Sequence, residues 1–401
     1  MTAKKTAKKT GKFTVTYGGW YQRTTLHLSE VYDLMALRSS KLDLSKEKIS
    51  ELCDGLGIST VSREAGYLEF VKAMTADGIL IKYYEDGLYV LESEIDDIAD
   101  VPGERVRLEK YFNENLNPAL SYIFSLGAPT PKVLANIKTN HPTVVSGLSP
   151  RAAAGSIDEA IFGPIYSSTS SSGISVIKTP LYIFVMATPA SASLAPSVVE
   201  NLIFFREFKD HLEKYLNIHR SIWEEIADIK EKKAIRGRDV DTVRGKLDSY
   251  QKTIELIANR INQMGSYVKT RSEIAGGLKV GGYLEELFQY KFETLLATLD
   301  YIKEIWNMTS GYLTSSINNL LEIKGQSTAR GVQSLQVITS LGVVSGIIGY
   351  ISRNELPRVT AAGAIYFAGI ITFTYFVNVG ISRLYKNKKY NLKFGNRAEE
   401  I

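Results

Sequence analysis

The sequence predicts an α+β cytosolic domain that is followed by a long helical coiled-coil stalk and a two-helix transmembrane hairpin. Short strand-like runs alternate with helical stretches up to about residue 195. Beyond that point apolar residues recur at spacings of four and three, which is typical of helices packed along a seam. Near the C-terminus, the runs 331–352 and 359–382 contain no charged residue.

Composition limits the class of protein. A chain of 401 residues is long enough for more than one structural unit. The single cysteine, Cys53, allows no intramolecular disulfide and no thiolate metal cluster, which fits a reducing compartment. The net charge of +5 comes partly from a basic tail at 1–12, predicted to be disordered, and partly from the basic cytosolic tail at 383–401. These tails favour anionic lipid surfaces over a nucleic-acid groove.

The region 13–195 is predicted to be the α/β domain. Its strand-like runs are KFTVTYGGWY, GILIKYY, GLYVLE and PLYIFVMAT. The serine-rich stretch 167–173 is predicted to be a loop from its composition.

The segment 44–92 resembles a winged helix. Ser45 and Ser59 are placed to cap two helices, and Asp86-Gly87 is a strong signal for a hairpin turn. A nucleic-acid reader needs a basic helix, but the cations of the predicted second helix are balanced by Glu64 and Glu69. We therefore favour a structural module, and a membrane-tethered nucleic-acid sensor that reads through Arg63 and Lys72 is the weaker alternative.

The stalk at 196–330 is predicted from three helical seams. They comprise Phe208, Leu212, Tyr215, His219, Ile222, Ile226 and Ile229; Val240, Val243, Leu247, Tyr250, Ile254, Ile257, Ile261, Met264 and Val268; and Leu295, Leu299, Ile302, Trp306, Thr309, Leu313, Ser316, Leu320 and Ile323. No proline interrupts the last seam before Pro357, so it predicts one helix from Tyr283 to Ile351, about 69 residues and on the order of 100 Å long.

The uncharged runs are predicted to span a membrane, because each reaches the roughly 20 residues that a hydrocarbon core requires. The six residues between them, RNELPR at 353–358, form a predicted external loop that makes the two spans antiparallel. Basic residues flank the pair on the other side, which places both termini in the cytoplasm. The predicted location is therefore the cell membrane, with a multi-pass topology.

This architecture resembles the CorA-type divalent metal-ion transporters, the two-transmembrane GxN family. Gly349 stands where the family's Gly-Met-Asn motif begins, but Tyr350 and Ile351 follow it, so the chain resembles a divergent member. Asn354 lies about one turn further and would present an amide, although Arg353 beside it would repel divalent cations. The resemblance implies a homopentameric ion channel for magnesium (Mg²⁺) or another divalent cation, with self and the lipid bilayer as partners.

Candidate site residues follow from spacing and from the resemblance. The predicted pore-lining positions, three and four residues apart on the first span, are Gln336, Thr339, Ser340, Val343, Gly346, Ile347 and Tyr350. The predicted pore mouth consists of Gly349, Ile351, Arg353 and Asn354. The acidic residues Asp96, Asp97 and Asp100 offer the oxygen ligands that magnesium prefers and are candidate regulatory metal ligands, with a solvated acidic turn as the alternative.

The leading functional hypothesis is metal ion transport, with an alternative on the same scaffold. In the alternative, the protein is a non-conducting, membrane-anchored oligomer that serves as a scaffold or interaction protein. No nucleophile elbow, phosphate loop, dinucleotide fingerprint or zinc spacing occurs in the sequence, so we expect no enzyme activity. No nucleic-acid partner is expected. The two hypotheses differ in whether the predicted pore residues surround an open axial path.

Overall fold

A computed structural model describes residues 12–21, 27–125, 142–148, 157–231, 234–351 and 361–391. The chain divides into two compact units. The first unit comprises residues 1–217 and 256–304, and the second comprises residues 218–255 and 305–401.

The first unit is built on one large sheet. Its described strands are β1 Phe13–Trp20, β2 Ile58–Ala65, β3 Glu69–Thr75, β4 Leu80–Tyr84, β5 Leu88–Ile95, β6 Thr143–Leu148, β7 Ser167–Ser171, β8 Ile174–Lys178 and β9 Tyr182–Ala187. They are ordered β2-β3-β4-β5-β1-β6-β9-β8-β7. The β6–β9 pair is parallel, whereas the other neighbouring pairs are antiparallel.

Helices make up most of the remaining described chain. They are α1 Leu28–Leu37, α2 Lys46–Leu56, α3 Val101–Tyr111, α4 Asn117–Phe124, α5 Glu159–Phe162, α6 Ala195–Glu231, α7 Val240–Gly277, α8 Gly281–Phe288, α9 Phe292–Ile351 and α10 Ala361–Asn387. A second, two-stranded sheet joins β10 Ala234–Arg236 to β11 Lys389–Asn391.

The hydrophobic core of the first unit forms where α1 to α4 cover the large sheet. Val15 of β1, Leu34 of α1, Leu56 of α2, Leu108 of α3 and Phe184 of β9 are fully enclosed within one cluster. In β3 the buried side chains alternate with partly exposed ones, as the two-residue period of a strand requires. The predicted α/β character of this region is confirmed, and all four strand-like runs are strands.

The predicted second helix of the winged-helix segment was wrong, because residues 58–75 form the β2–β3 hairpin. Ser45 does cap α2, since its hydroxyl accepts a hydrogen bond from the Lys48 amide. Ser59 instead lies on β2 and donates to the Met74 carbonyl oxygen at 2.8 Å. The physical reason is that alternate β3 side chains are buried against the sheet. The stability gained from this burial is larger than the helix preference that the spacing of apolar residues indicates.

Most of the serine-rich stretch, Ser167–Ser171, is also a strand rather than the predicted loop, and only Ser172 and Gly173 form a turn. Strand β7 pairs with β8 at the end of the sheet, and the Ser170 and Ser175 hydroxyls are 2.8 Å apart. An edge strand is held by backbone hydrogen bonds and needs few apolar side chains. Composition alone therefore misread this segment.

The long helices follow the predicted seams, which are buried or half-buried along their length. The helix predicted to carry the third seam is divided, however, because α8 ends at Phe288 and α9 begins at Phe292. Gln289 ends α8 in the left-handed conformation, with φ at 59°. The next residue, Tyr290, stacks on Phe205 with ring centroids 4.2 Å apart, which favours the break. The predicted single helix from Tyr283 to Ile351 is thus an eight-residue helix and a 60-residue helix.

Among the residues that the structure describes, no helix combines the length and the apolar character that crossing a membrane requires. The predicted transmembrane hairpin at 331–352 and 359–382 was therefore wrong, and so were the CorA-like fold class that includes it, the ion-channel and membrane-protein assignment and the multi-pass location in the cell membrane. The amides of Gln333 and Gln336 lower the apolar character of the first run, and the amide of Asn378 lowers that of the second. The predicted external loop lies outside the described residues.

Candidate functional site

Helix α9 changes character along its length. Trp306, Leu313 and Leu320 are fully buried, whereas Val337 is 60% exposed and Val344 is 52% exposed. Val337 lies 17 residues after Leu320, and the alternating spacing of four and three would place both on one seam. Between them this spacing passes through polar residues, Ser327, Arg330 and Ser334. The apolar seam therefore stops after Ile323, and apolar residues return to this side of the helix at Val337, where the described chain no longer covers it.

The covered part of α9 in the second unit is fixed by a polar contact as well as by apolar packing. The ring nitrogen Nε2 of His219 lies 2.6 Å from the Thr309 hydroxyl, and the His219 ring contacts the edge of Trp306. Burial lowers the pKa of His219, so the neutral ring is favoured in this position. The histidine is a packed seam residue, as the spacing predicts, and not a metal ligand among the described side chains.

An open groove runs along the exposed side of α9. Its lining combines apolar side chains with uncharged polar ones, namely Gln333, Gln336, Val337, Ser340 and Val344. The threonine hydroxyl of Thr339 is occupied, because it donates to the Leu335 carbonyl oxygen of its own helix at 2.8 Å. Amides such as those of Gln333 and Gln336 each offer a donor and an acceptor.

Helix α10 exposes larger apolar side chains than α9. Phe373 is 69% exposed, Phe376 is 65% exposed and Ile365 is 74% exposed. The hydroxyls of Thr372 and Thr374 donate to carbonyl oxygens of the same helix and so present little unsatisfied polarity. This helix has a hydrophobic surface that the described chain leaves open to solvent.

The two helices together hold a concentration of exposed hydrocarbon. Of the 22 large apolar residues that are exposed in the described chain, twelve lie beyond residue 331: Val332, Leu335, Val337, Val343, Val344, Ile365, Ile370, Ile371, Phe373, Tyr375, Phe376 and Leu384. Scattered exposed apolar side chains are ordinary, but here more than half of them lie in this one part of the chain. We call these twelve residues the apolar surface.

The structure places the predicted pore-lining residues on this same part of α9. Gln336 and Ser340 lie together in the groove, and Thr339, Val343 and Gly346 are exposed on the helix. The backbone of the predicted positions 347 and 349–351 continues α9, but the side chains of Ile347, Gly349, Tyr350 and Ile351 lie outside the description. Arg353 and Asn354 fall outside the described residues altogether.

The candidate metal ligands Asp96, Asp97 and Asp100 are exposed. The Asp97 carboxylate accepts a hydrogen bond from the Ala99 amide at 3.0 Å, as a capping residue does. In the part of the chain that the structure describes, no three histidine, cysteine, aspartate or glutamate side chains come together as a metal site requires. Magnesium or another divalent cation as a ligand of this protein stays a prediction.

A buried charge pair in the first unit was missed at the level of sequence. The Arg271 guanidinium makes two bonds to the Asp86 carboxylate, at 2.5 Å and 2.8 Å, and both side chains are almost fully buried. Burial by itself lowers the pKa of Arg271, but the Asp86 charge outweighs burial and raises it. The available signal was that Arg271 follows Val268 by three residues and so continues the seam of α7.

A partly buried network connects sheet to helix within the first unit. Lys82 bonds both Glu92 at 3.1 Å and Glu200 at 3.2 Å, and the Tyr84 hydroxyl donates to Glu200 at 2.6 Å. The charges and hydrogen-bonding groups of these residues are paired with one another, which is typical of a structural network and not of a substrate-binding site. The Arg63 and Lys72 side chains, considered as nucleic-acid readers, are paired with Glu69 and Glu64 respectively.

No protein family, no curated protein and no solved structure matches this chain. The resemblance to the CorA-type family therefore stays a prediction based on sequence pattern.

Proposed function

We propose that the protein is a homo-oligomeric scaffold or interaction protein whose copies associate through the apolar surface of α9 and α10. The observation that carries the proposal is the concentration of exposed apolar side chains beyond residue 331. Removing one valine side chain of this kind from water is worth on the order of 1.5 kcal/mol. Several such side chains from each copy would stabilise an assembly.

The composition of the surface favours a second copy of this chain as the partner. The run 331–352 contains no charged residue, so identical copies would not repel one another there. Residues that lie next to a symmetry axis meet their own equivalents in the neighbouring copies. Gln333 and Gln336 suit such a meeting, because an amide can donate to and accept from the same amide of a neighbouring copy.

The polar groove residues would also set the alignment of the copies. A buried amide within an apolar seam is stable only where it meets a partner, and it therefore selects one register and one number of helices. The mixture of Val337 and Val344 with Gln336 and Ser340 has this character. Ion conduction would need the membrane spans that the helices of the described chain contradict.

The test is the molar mass of the full-length protein in solution, measured by sedimentation equilibrium over a wide concentration range. We expect an oligomer for the wild type. The double variant Val337→Glu, Val344→Glu places charges on the seam and is expected to be a monomer. Leu37→Glu is the matched control, because Leu37 is 62% exposed but lies on α1 in the first unit.

A second variant examines α10 independently. Phe373→Ser combined with Phe376→Ser is expected to weaken association without adding charge. A wild-type protein that stays monomeric at all concentrations would contradict the proposal. A monomer that instead binds lipid vesicles in a flotation assay would contradict it equally. An oligomer that survives both double variants would contradict it as well.

A further inference from the structure

The two-stranded sheet in the second unit holds a pair of like charges. Strands β10 and β11 are antiparallel, with Ile235 opposite Tyr390 and Arg236 opposite Lys389. The central Ile235–Tyr390 pair is buried, and the Gly237 amide donates to the Lys388 carbonyl oxygen at 3.1 Å. This sheet fixes the backbone that carries Arg236 and Lys389.

Like charges directly opposite each other in a sheet are destabilising. Both side chains are exposed. Within the described chain, neither Arg236 nor Lys389 makes an ion pair or a side-chain hydrogen bond, whereas the neighbouring Arg238 is paired with Asp239 at 3.5 Å. The sheet thus presents two cations on one face with no described protein anion between them.

The same two cations line a small cavity. It has a volume of about 290 Å³, and its walls are Ile229, Ala234, Ile235, Arg236, Asp239, Val243 and Lys389. This volume lies just below the range of about 300–1,000 Å³ that is usual for ligand pockets, so the cavity suits only a small molecule. Its only carboxylate among the described lining residues, Asp239, already faces Arg238.

The cavity also lies at the beginning of a long helix. Helix α7 starts at Val240, between the lining residues Asp239 and Val243. A 3-10 turn at Gly237–Asp239 leads directly into α7, so the helix dipole begins beside the cavity and favours an anion there. An arginine, a lysine and the start of a helix therefore border one half-open cavity.

We propose that this cavity binds the phosphate group of a small molecule, with Arg236 and Lys389 as its charged ligands. The Arg236 guanidinium matches two phosphate oxygens at once, and the Lys389 ammonium supplies a point charge. A bound dianion would also convert the repulsion between the two cations into attraction. The proposal does not depend on self-association, because all its residues belong to one copy.

Calorimetric titration of the full-length protein in low-chloride buffer tests the proposal, with inorganic phosphate and glycerol phosphate as separate ligands. Binding of inorganic phosphate would show that a free anion suffices, and binding of glycerol phosphate alone would show that the site requires an ester. For the ligand that binds, Arg236→Gln and Lys389→Gln are each expected to weaken binding about tenfold or more, because each removes a charge-assisted hydrogen bond.

Lys386→Gln is the matched control. It removes the same charge from the end of α10, but Lys386 does not line the cavity. We expect it to weaken binding less than about twofold, since an exposed charge outside the site is screened by salt. The proposal would be overturned if neither ligand binds, or if Lys386→Gln weakens binding as much as Arg236→Gln.

The stability of the phosphate-free variants provides an independent readout. Arg236→Gln removes the repulsion, so we expect its unfolding temperature in phosphate-free buffer to equal or exceed that of the wild type. Added phosphate is expected to raise the unfolding temperature of the wild type more than that of the variant. A phosphate-free variant that unfolds at a lower temperature than the wild type would contradict the like-charge argument.

Discussion

The first unit buries a charged side chain, whereas the second unit exposes large apolar side chains. In the first unit the Arg271 side chain is 2% exposed, although arginine is among the residues least often buried. In the second unit the Phe373 side chain is 69% exposed, although phenylalanine is usually enclosed. The comparison shows that a side chain's burial depends on the partners that the fold provides and not on its residue type alone.

The partners explain each case. Arg271 has a two-bond contact with Asp86, and its guanidinium lies 5.0 Å from the centre of the Tyr84 ring and 5.3 Å from that of Phe204. These contacts replace the water that a buried cation loses. Phe373 has no comparable cover within one copy, which is why we assign its partner to a second copy.

The largest effect is expected from breaking the buried pair. Arg271→Met leaves the Asp86 carboxylate buried without its cation, and we expect the free energy of unfolding to fall by about 3–5 kcal/mol. Denaturant unfolding followed by circular dichroism would measure it.

Arg63→Met is the control for that experiment, because Arg63 is 45% exposed in its ion pair with Glu69. We expect a loss below about 1 kcal/mol for this surface pair. Equal losses of stability in the two variants would show that burial does not make the Arg271–Asp86 pair stronger than the Arg63–Glu69 pair. That result would contradict the contrast drawn between buried and exposed groups.

The next largest effect is expected from pH, through Glu207 and His211 on α6. Burial raises the pKa of Glu207 from 4.5 to about 7, although Arg206 opposes it. Because the folded protein then holds a proton that the unfolded chain releases, Glu207 reduces stability as pH rises from 4.5 to 7. Burial lowers the pKa of His211 from 6.5 to about 4, although its ring nitrogen Nδ1 is bonded to the Glu207 carbonyl oxygen. His211 therefore reduces stability as pH falls from 6.5 to 4.

The contributions of Glu207 and His211 to the pH dependence of stability oppose each other in the wild type. The Glu207→Gln variant should therefore show the pH dependence that comes from His211 alone. We expect the free energy of unfolding of this variant to rise by about 3 kcal/mol between pH 4 and 6.5, and that of the wild type to change much less. Unfolding measured at several pH values would show the difference. Glu213→Gln, which changes an exposed carboxylate on the same helix, should keep the wild-type profile. A Glu207→Gln profile identical to that of the wild type would contradict the assignment.

The smallest effect on stability is expected when a side chain of the apolar surface is shortened without adding a charge. Measured below the concentration at which copies associate, Phe373→Ala should change the free energy of unfolding by no more than about 0.5 kcal/mol. Phe208→Ala removes the same side chain from a fully buried site beside Trp20 and should cost about 3–5 kcal/mol. A large loss in Phe373→Ala would mean that the residue is covered within one copy.

Much of the fold could be predicted because its signals are local. The seams of α6, α7 and α9 follow from spacing, and Ser45 caps α2 where the sequence places a cap. The β2–β3 hairpin and the β7 strand could not be predicted in the same way, because the neighbours that hold them come from elsewhere in the sheet. Strand preference depends on such cross-strand neighbours more than helix preference does.

In the candidate sites, too, some features could be predicted from the sequence and others could not. The sequence singled out Gln336, Ser340 and Val343, and these residues do lie exposed on α9. It could not show that Arg236 and Lys389 face each other, because 153 positions of chain separate two residues that only strand pairing brings together. It also assigned the uncharged runs to a membrane, a reading that the helices of the described chain contradict.

The sequence by itself determined the periodicity of the long helices, the strands with alternating apolar residues and the absence of charge from 331 to 352. Only the tertiary structure decided that cover for α9 ends near Leu320, that Arg271 finds Asp86, and that two cations share one cavity. The physical reason is that periodicity arises from bonds between near neighbours, whereas cover and charge pairing require distant parts of the chain to meet.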